Sequence, residues 1–207
     1  RSQFRLRAGK KEPDARTGAH GAHELTDDDA HRVVLATLLG VASEKRPRGL
    51  ATDGKLVYAA GREQGWGWLV ADADGDLAIK THAELEKIPA HADAAEVPLL
   101  FDGDEVSTHP GRVEAHAALC VAEDGTVYIA HKGGPAPLAA ALRKVGCKRG
   151  VLLDRGEGGD ANVYRAGTSQ PPRAHYDETV LYALAVPLKP RGFRFEATNP
   201  VPLPTKK

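Results

Sequence analysis

The residues best suited to chemistry fall in Leu152-Leu153-Asp154-Arg155-Gly156-Glu157-Gly158. Gly150–Leu153 is a short apolar run, as expected of a strand buried on both faces. Asp154 follows at the strand's C-terminal end, where glycines let a ligand approach the main chain closely. A carboxylate there is a candidate for chemistry. Upstream, Trp66 and Trp68 flank Gly67. Side chains two apart on a strand point the same way, so the pair either stacks on a sugar face or shares core packing. Other constellations are poorer. Asp72-Ala73-Asp74-Gly75-Asp76 has calcium-loop residues, but its glycine is misplaced and the twelfth position is Ala83. It reads as a hairpin turn. His20 and His23 offer two metal nitrogens without a third ligand nearby, and read as part of a solvated loop. No metal or cofactor is expected, and no nucleophile elbow, P-loop or Rossmann fingerprint occurs.

Asp154 needs elements to place it. Asp124–Gly159 reads as strand, helix and strand: Thr126–Ala130 as a strand, Pro135–Val145 as a helix, then Gly150–Leu153. Leu138, Ala141, Leu142 and Val145 are expected on the buried helical face, with a proline in the first turn and Gly146 as the stop. Asp-Gly pairs at Asp53-Gly54, Asp74-Gly75, Asp102-Gly103 and Asp124-Gly125 mark hairpins, because both residues tolerate positive φ. Further strands are expected over Gln3–Ala8, Arg32–Leu38, Gly49–Thr52, Leu56–Ala59, Gly67–Ala71, Leu77–Lys80, Leu99–Phe101, Ala115–Val121, Val163–Arg165 and Thr179–Val186. His82–Ile88 and Ala90–Ala95 read as short helical turns. Thr26-Asp27-Asp28-Asp29 reads as a capping box or turn. Many hairpins and few helices predict an α+β domain with a mixed β-sheet. It is expected to span residues 1–198, with Asn199–Lys207 as an extended Pro/Lys tail.

Composition narrows the function classes. The 207 residues carry 28 Lys+Arg and 28 Asp+Glu, so no net field favours nucleic acid or an anionic membrane. No apolar run approaches membrane-spanning length. The chain contains no methionine, which fits a mature or trimmed piece of a longer product; export is expected, to periplasm, cell surface or exterior. Cys120 and Cys147 are either a disulfide or two buried thiols.

The order of several segments resembles the phosphodiester glycosidase family (exopolysaccharide-type domains). Phe4–Pro13 is similar to its opening strand and turn. Pro47-Arg48-Gly49-Leu50 with Asp53-Gly54-Lys55 resembles its first hairpin. Pro98-Leu99-Leu100-Phe101-Asp102-Gly103 resembles its Pro-Leu-Leu-x-Asp-Gly segment. Leu153-Asp154 stands where the family has Leu-Asp-Gly-Gly-Gly-Ser. The resemblance implies a phosphodiester glycosidase-like fold and a pocket drawn from three segments, each altered here. Leu38 stands at an asparagine position. His116 stands for the arginine of Arg-Thr-Ala-x-Gly. Arg155 and Glu157 replace glycines and Gly158 the serine.

Cleaving a sugar-1-phosphodiester needs donors for the phosphate and a group that assists departure at the anomeric carbon. Histidine cannot reproduce the planar fork of arginine, and leucine donates nothing. The resemblance therefore implies a divergent member with an eroded pocket, acting as a carbohydrate-binding or assembly module. One alternative is an active hydrolase of a sugar-1-phosphodiester. Its catalytic candidates are Asp154, Glu157 and His116, with Arg155, Gly156, Trp66 and Trp68 binding substrate. Asp154 and Glu157 would then form the carboxylate pair, roughly 5–9.5 Å apart. A second alternative is a structural subunit of a surface assembly. Expected partners are a carbohydrate or phosphate-linked sugar and protein neighbours in an assembly, with no nucleic acid and no membrane span.

Overall fold

The computed structural model describes residues 2–9, 25–40, 49–59, 61, 64–106, 116–155, 162–163 and 179–186. The strands are β1 (Ser2–Arg7), β2 (Val33–Gly40), β3 (Leu50–Thr52), β4 (Lys55–Tyr58), β5 (Trp66–Ala71), β6 (Leu77–Thr81), β7 (Asp93–Asp102), β8 (Glu105–Val106), β9 (His116–Val121), β10 (Val127–Gly133), β11 (Arg149–Arg155), β12 (Asn162–Val163) and β13 (Thr179–Ala185). The helices are α1 (Asp27–Ala30) and α2 (Pro135–Lys144). The α+β domain of many hairpins and few helices is what this chain forms.

Every expected Asp-Gly pair lies at a strand-to-strand turn. Asp53 and Gly54 take φ of 51° and 73° between β3 and β4. Gly75, Gly103 and Gly125 are likewise at positive φ between β5 and β6, β7 and β8, and β9 and β10. Asp72–Asp76 is a hairpin turn, in which the Asp72 carboxylate accepts the Asp76 main-chain N–H at 2.9 Å. Thr26 caps α1 by accepting the Asp29 N–H.

The strands form two sheets. One has four strands in the order β1-β13-β2-β12. The other has nine, with the path β10-β9-β11-β7-β3-β4, and β5, β6 and β8 joined through β7. The sheets pack face to face. Phe4, Leu6, Leu39 and Leu181 of the smaller sheet meet Leu69, Val97, Leu119 and Val151 of the larger. This burial removes apolar area from water at about 25 cal/mol per Å², the main favourable term in folding. Every ladder among the described residues is antiparallel. β10 and β11 each run antiparallel to β9, which lies between them. They are therefore parallel to one another, with α2 as the crossover on the outer face.

Two expectations are corrected. Ala90–Ala95 is not a helical turn: β7 starts at Asp93 and runs ten residues, buried from Asp93 to Phe101. Alanine favours helices in isolation, but here pairing with β3 and β5 and burial of both faces decide. The face α2 buries is Leu138, Ala139 and Leu142, not the set with Ala141 and Val145. Val145 is the C-cap and stays 42% exposed, because Gly146 at φ 90° ends the helix there.

His82–Ile88 holds only turns. Thr81 Oγ1 accepts the Glu84 N–H and the Glu84 carboxylate accepts the Thr81 N–H, a reciprocal capping pair. The chain does not continue as a helix toward Pro89, whose ring disfavours the α region at Ile88.

Cys120 and Cys147 are joined in a disulfide, so the two-thiol alternative does not hold. The bond ties β9 to the end of α2. Nearby, a β-bulge between Gly150 and Val151 places both Leu100 and Phe101 in the cluster under α2. Gly150 faces the Phe101 ring so closely that an added Cβ would lie 2.4 Å from Cε1. Gly150→Ala is expected to lose about 1–3 kcal/mol by overpacking a fully buried ring. A fall in the urea midpoint at unchanged m-value would measure it.

Candidate functional site

The end of the larger sheet at which β9 begins and β11 finishes gathers several candidates. Gly150, Val151 and Leu152 pair with Cys120, Leu119 and Ala118, and after an irregularity Arg155 pairs with His116. His116 also pairs with Gly133 of β10. Main-chain register therefore puts His116 between Arg155 and Gly133, with Asp154 adjoining. This happens because the two strands flanking β9 both end here, and α2 starts here from Gly134. Gly156, Glu157, His20 and His23 lie outside the described residues, as does the tail expected over Asn199–Lys207.

The opposite end of β11 is closed by ion pairs. Arg149 meets Asp102 at 3.0 Å and Glu84 at 2.7 Å. A main-chain hydrogen bond from Thr81 draws the Glu84 carboxyl below its ordinary range, and Arg149 adds to this. Burial works against the Arg149 charge, yet its bonds to Asp102 and Glu84 raise the pKa. At one end of the strand a guanidinium meets two carboxylates; at the other, main-chain register places a histidine, an arginine and an aspartate at neighbouring positions.

The tryptophans sit elsewhere, on β5, which pairs with residues 93–98 of β7, whereas β11 pairs with 99–102. Trp66 pairs with Pro98 and Trp68 with Glu96. Trp68 is only 4% exposed and belongs to a small core with Val70, Ala92 and Ala94. Leu38 packs against the cluster around Val33 and Tyr182 in the smaller sheet.

Reasoning from the sequence missed three polar residues. Asp93 and Glu96 are carboxylates on β7, 3% and 2% exposed. Asp93 Oδ2 accepts the Leu6 N–H at 2.9 Å and an Arg7 N–H at 3.0 Å, while Oδ1 accepts the Asp53 N–H at 2.7 Å. Glu96 Oε2 accepts the Gly49 and Gly61 N–H groups at 2.9 and 2.8 Å. Its Oε1 lies 2.6 Å from His82 Nε2. The available signal was a pair of acidic residues inside an otherwise apolar run, Ala92–Phe101. Among the described residues, no three His, Cys, Asp or Glu side chains are placed to hold a metal ion. None of the described helices is long and apolar enough to cross a membrane.

No protein-family model matches the chain, and no curated protein matches it significantly.

Proposed function

We propose that the chain is a divergent phosphodiester glycosidase-like domain that binds a carbohydrate or phosphate-linked sugar, as a binding or assembly module of an exported system. The observation that carries this reading is the cross-strand pairing of Arg155 with His116, beside Asp154. An arginine holds a phosphate through its planar fork, a histidine can add a donor, and an aspartate accepts from sugar hydroxyls. The bonded Cys120–Cys147 pair supports export, because disulfides persist in oxidising compartments.

Binding is favoured over hydrolysis on chemical grounds. The resemblance puts leucine, histidine and two charged residues where the family has an asparagine, an arginine and glycines. Each donor lost from an oxyanion-stabilising site costs roughly 2.7–4 kcal/mol of transition-state stabilisation.

Titration calorimetry with the methyl phosphodiester of N-acetylglucosamine 1-phosphate tests the proposal. Saturable binding without sugar release is expected, and Arg155→Ala should weaken it at least tenfold. No binding would overturn the reading. Sugar release abolished by Asp154→Asn would replace it with the hydrolase.

A further inference from the structure

A second place in the molecule has the make-up of a ligand site, and it is independent of the end of β11. A cavity of about 450 Å³ opens between β4, β5 and the 82–88 turn. Its wall includes His82, Trp68, Leu56 and Ile88, with Glu86 and Lys87 also lining it. That volume is within the usual range for small-molecule sites.

The histidine is held from behind. Glu96 spends Oε2 on two main-chain N–H groups and turns Oε1 to His82 Nε2. A carboxylate accepts only, so Nε2 is the protonated ring nitrogen and Nδ1 carries the lone pair of the neutral ring. Among the described residues Nδ1 has no hydrogen-bond partner. The Trp68 ring meets His82 edge-on, with centroids 6.2 Å apart and planes at 85°, which sets the imidazole plane. Tying Gly49 and Gly61 together needs only Oε2. Orienting a cavity-lining imidazole through Oε1 is a separate feature, of the kind found where a histidine must present one nitrogen to a ligand.

Charge and polarity choose the ligand class. Glu86 and Lys87 balance one another, so the charged side chains that line the cavity have no excess of either sign. Leu56 and Ile88 offer aliphatic surface. A ring with an apolar face and hydroxyls on its edge suits both features.

We propose that this cavity binds an uncharged hydroxylated ring, one hydroxyl donating to Nδ1 of His82 while the ring's C–H face rests on the aliphatic wall. Pyranosides and phenols share that chemistry, and separate titrations distinguish them.

The chain has two tryptophans, so Trp66→Phe leaves Trp68 as the single indole N–H signal by NMR. Titrating this variant with methyl β-glucopyranoside, and separately with catechol, is expected to shift that signal saturably with one of them. In wild-type protein the His82 Nδ1 resonance should move with it. His82→Leu should weaken binding at least tenfold while the indole signal keeps its folded dispersion. If neither probe moves the indole signal up to roughly 100 mM, a concentration that would reveal even dissociation constants weaker than about 1 mM, the proposal fails. It fails equally if the Nδ1 resonance stays fixed during saturable binding, a readout that remains available should His82→Leu not fold.

Discussion

Asp93→Ala is expected to cost about 3–5 kcal/mol of folding stability, the range for removing one partner of a buried, hydrogen-bonded ion pair. The residue bridges the two sheets. From the first position of β7 it accepts from Leu6 and Arg7 of β1 and from Asp53 in the β3–β4 turn. β1 is an edge strand, and its outward N–H groups need partners. Phe4 finds one in the Gly75 carbonyl at 2.8 Å, and Leu6 finds one in Asp93. Alanine would leave the Leu6 and Asp53 N–H groups buried or half-buried without this acceptor and would remove a carboxylate from the Arg7 guanidinium. Asn retains one acceptor oxygen but turns an N–H₂ toward a donor, so Asp93→Asn should fall between wild type and alanine. Urea unfolding measures both. A midpoint for Asp93→Ala within about 1 kcal/mol of wild type would show that the carboxylate does not join the sheets.

Removing the disulfide is the second large effect. Cys120 and Cys147 are 27 residues apart in sequence, and closing a loop of that size removes enough freedom from the unfolded chain to stabilise the fold by about 3–4 kcal/mol. The residues are 0% and 5% exposed, so reductant reaches the bond only through opening. The double variant Cys120→Ala/Cys147→Ala is therefore the cleaner test, since it buries no new polar group. For a chain of this size the melting temperature should fall by about 10 °C. The loss should exceed that for Gly150→Ala, which disturbs the same layer by crowding alone. An unchanged melting temperature for the double variant would mean that packing of Leu138, Ala139 and Leu142 already holds α2 in place.

Parts of the candidate site were legible in the sequence. Asp154 was expected at the C-terminal end of a strand because Gly150–Leu153 is apolar and a glycine-rich stretch follows; β11 runs from Arg149 through Arg155 and includes it. His116 was expected on the strand Ala115–Val121, and β9 starts at that residue. That Arg155 pairs with His116 was not legible, since it depends on a register irregularity after Leu152. Glu96 and His82 were missed for a related reason. The alanines around Asp93 suggested a helical turn, and a buried carboxylate is recognisable only when its donors are known. Gly49, Gly61 and His82 come from separate loops and turns.

The sequence by itself determined the local geometry: four hairpin turns, the strands around them, the helix before Gly146 and the cap at Thr26. These depend on the φ preferences of a few residues and on alternation over short windows, which distant contacts scarcely change. Only the tertiary structure decided which strands belong to which sheet, that Cys120 finds Cys147, that Asp93 joins β1 to β7, and that Glu96 orients His82. Each of these depends on pairings between segments far apart in the chain. Their free energy comes from burying groups together, and no single segment carries that information.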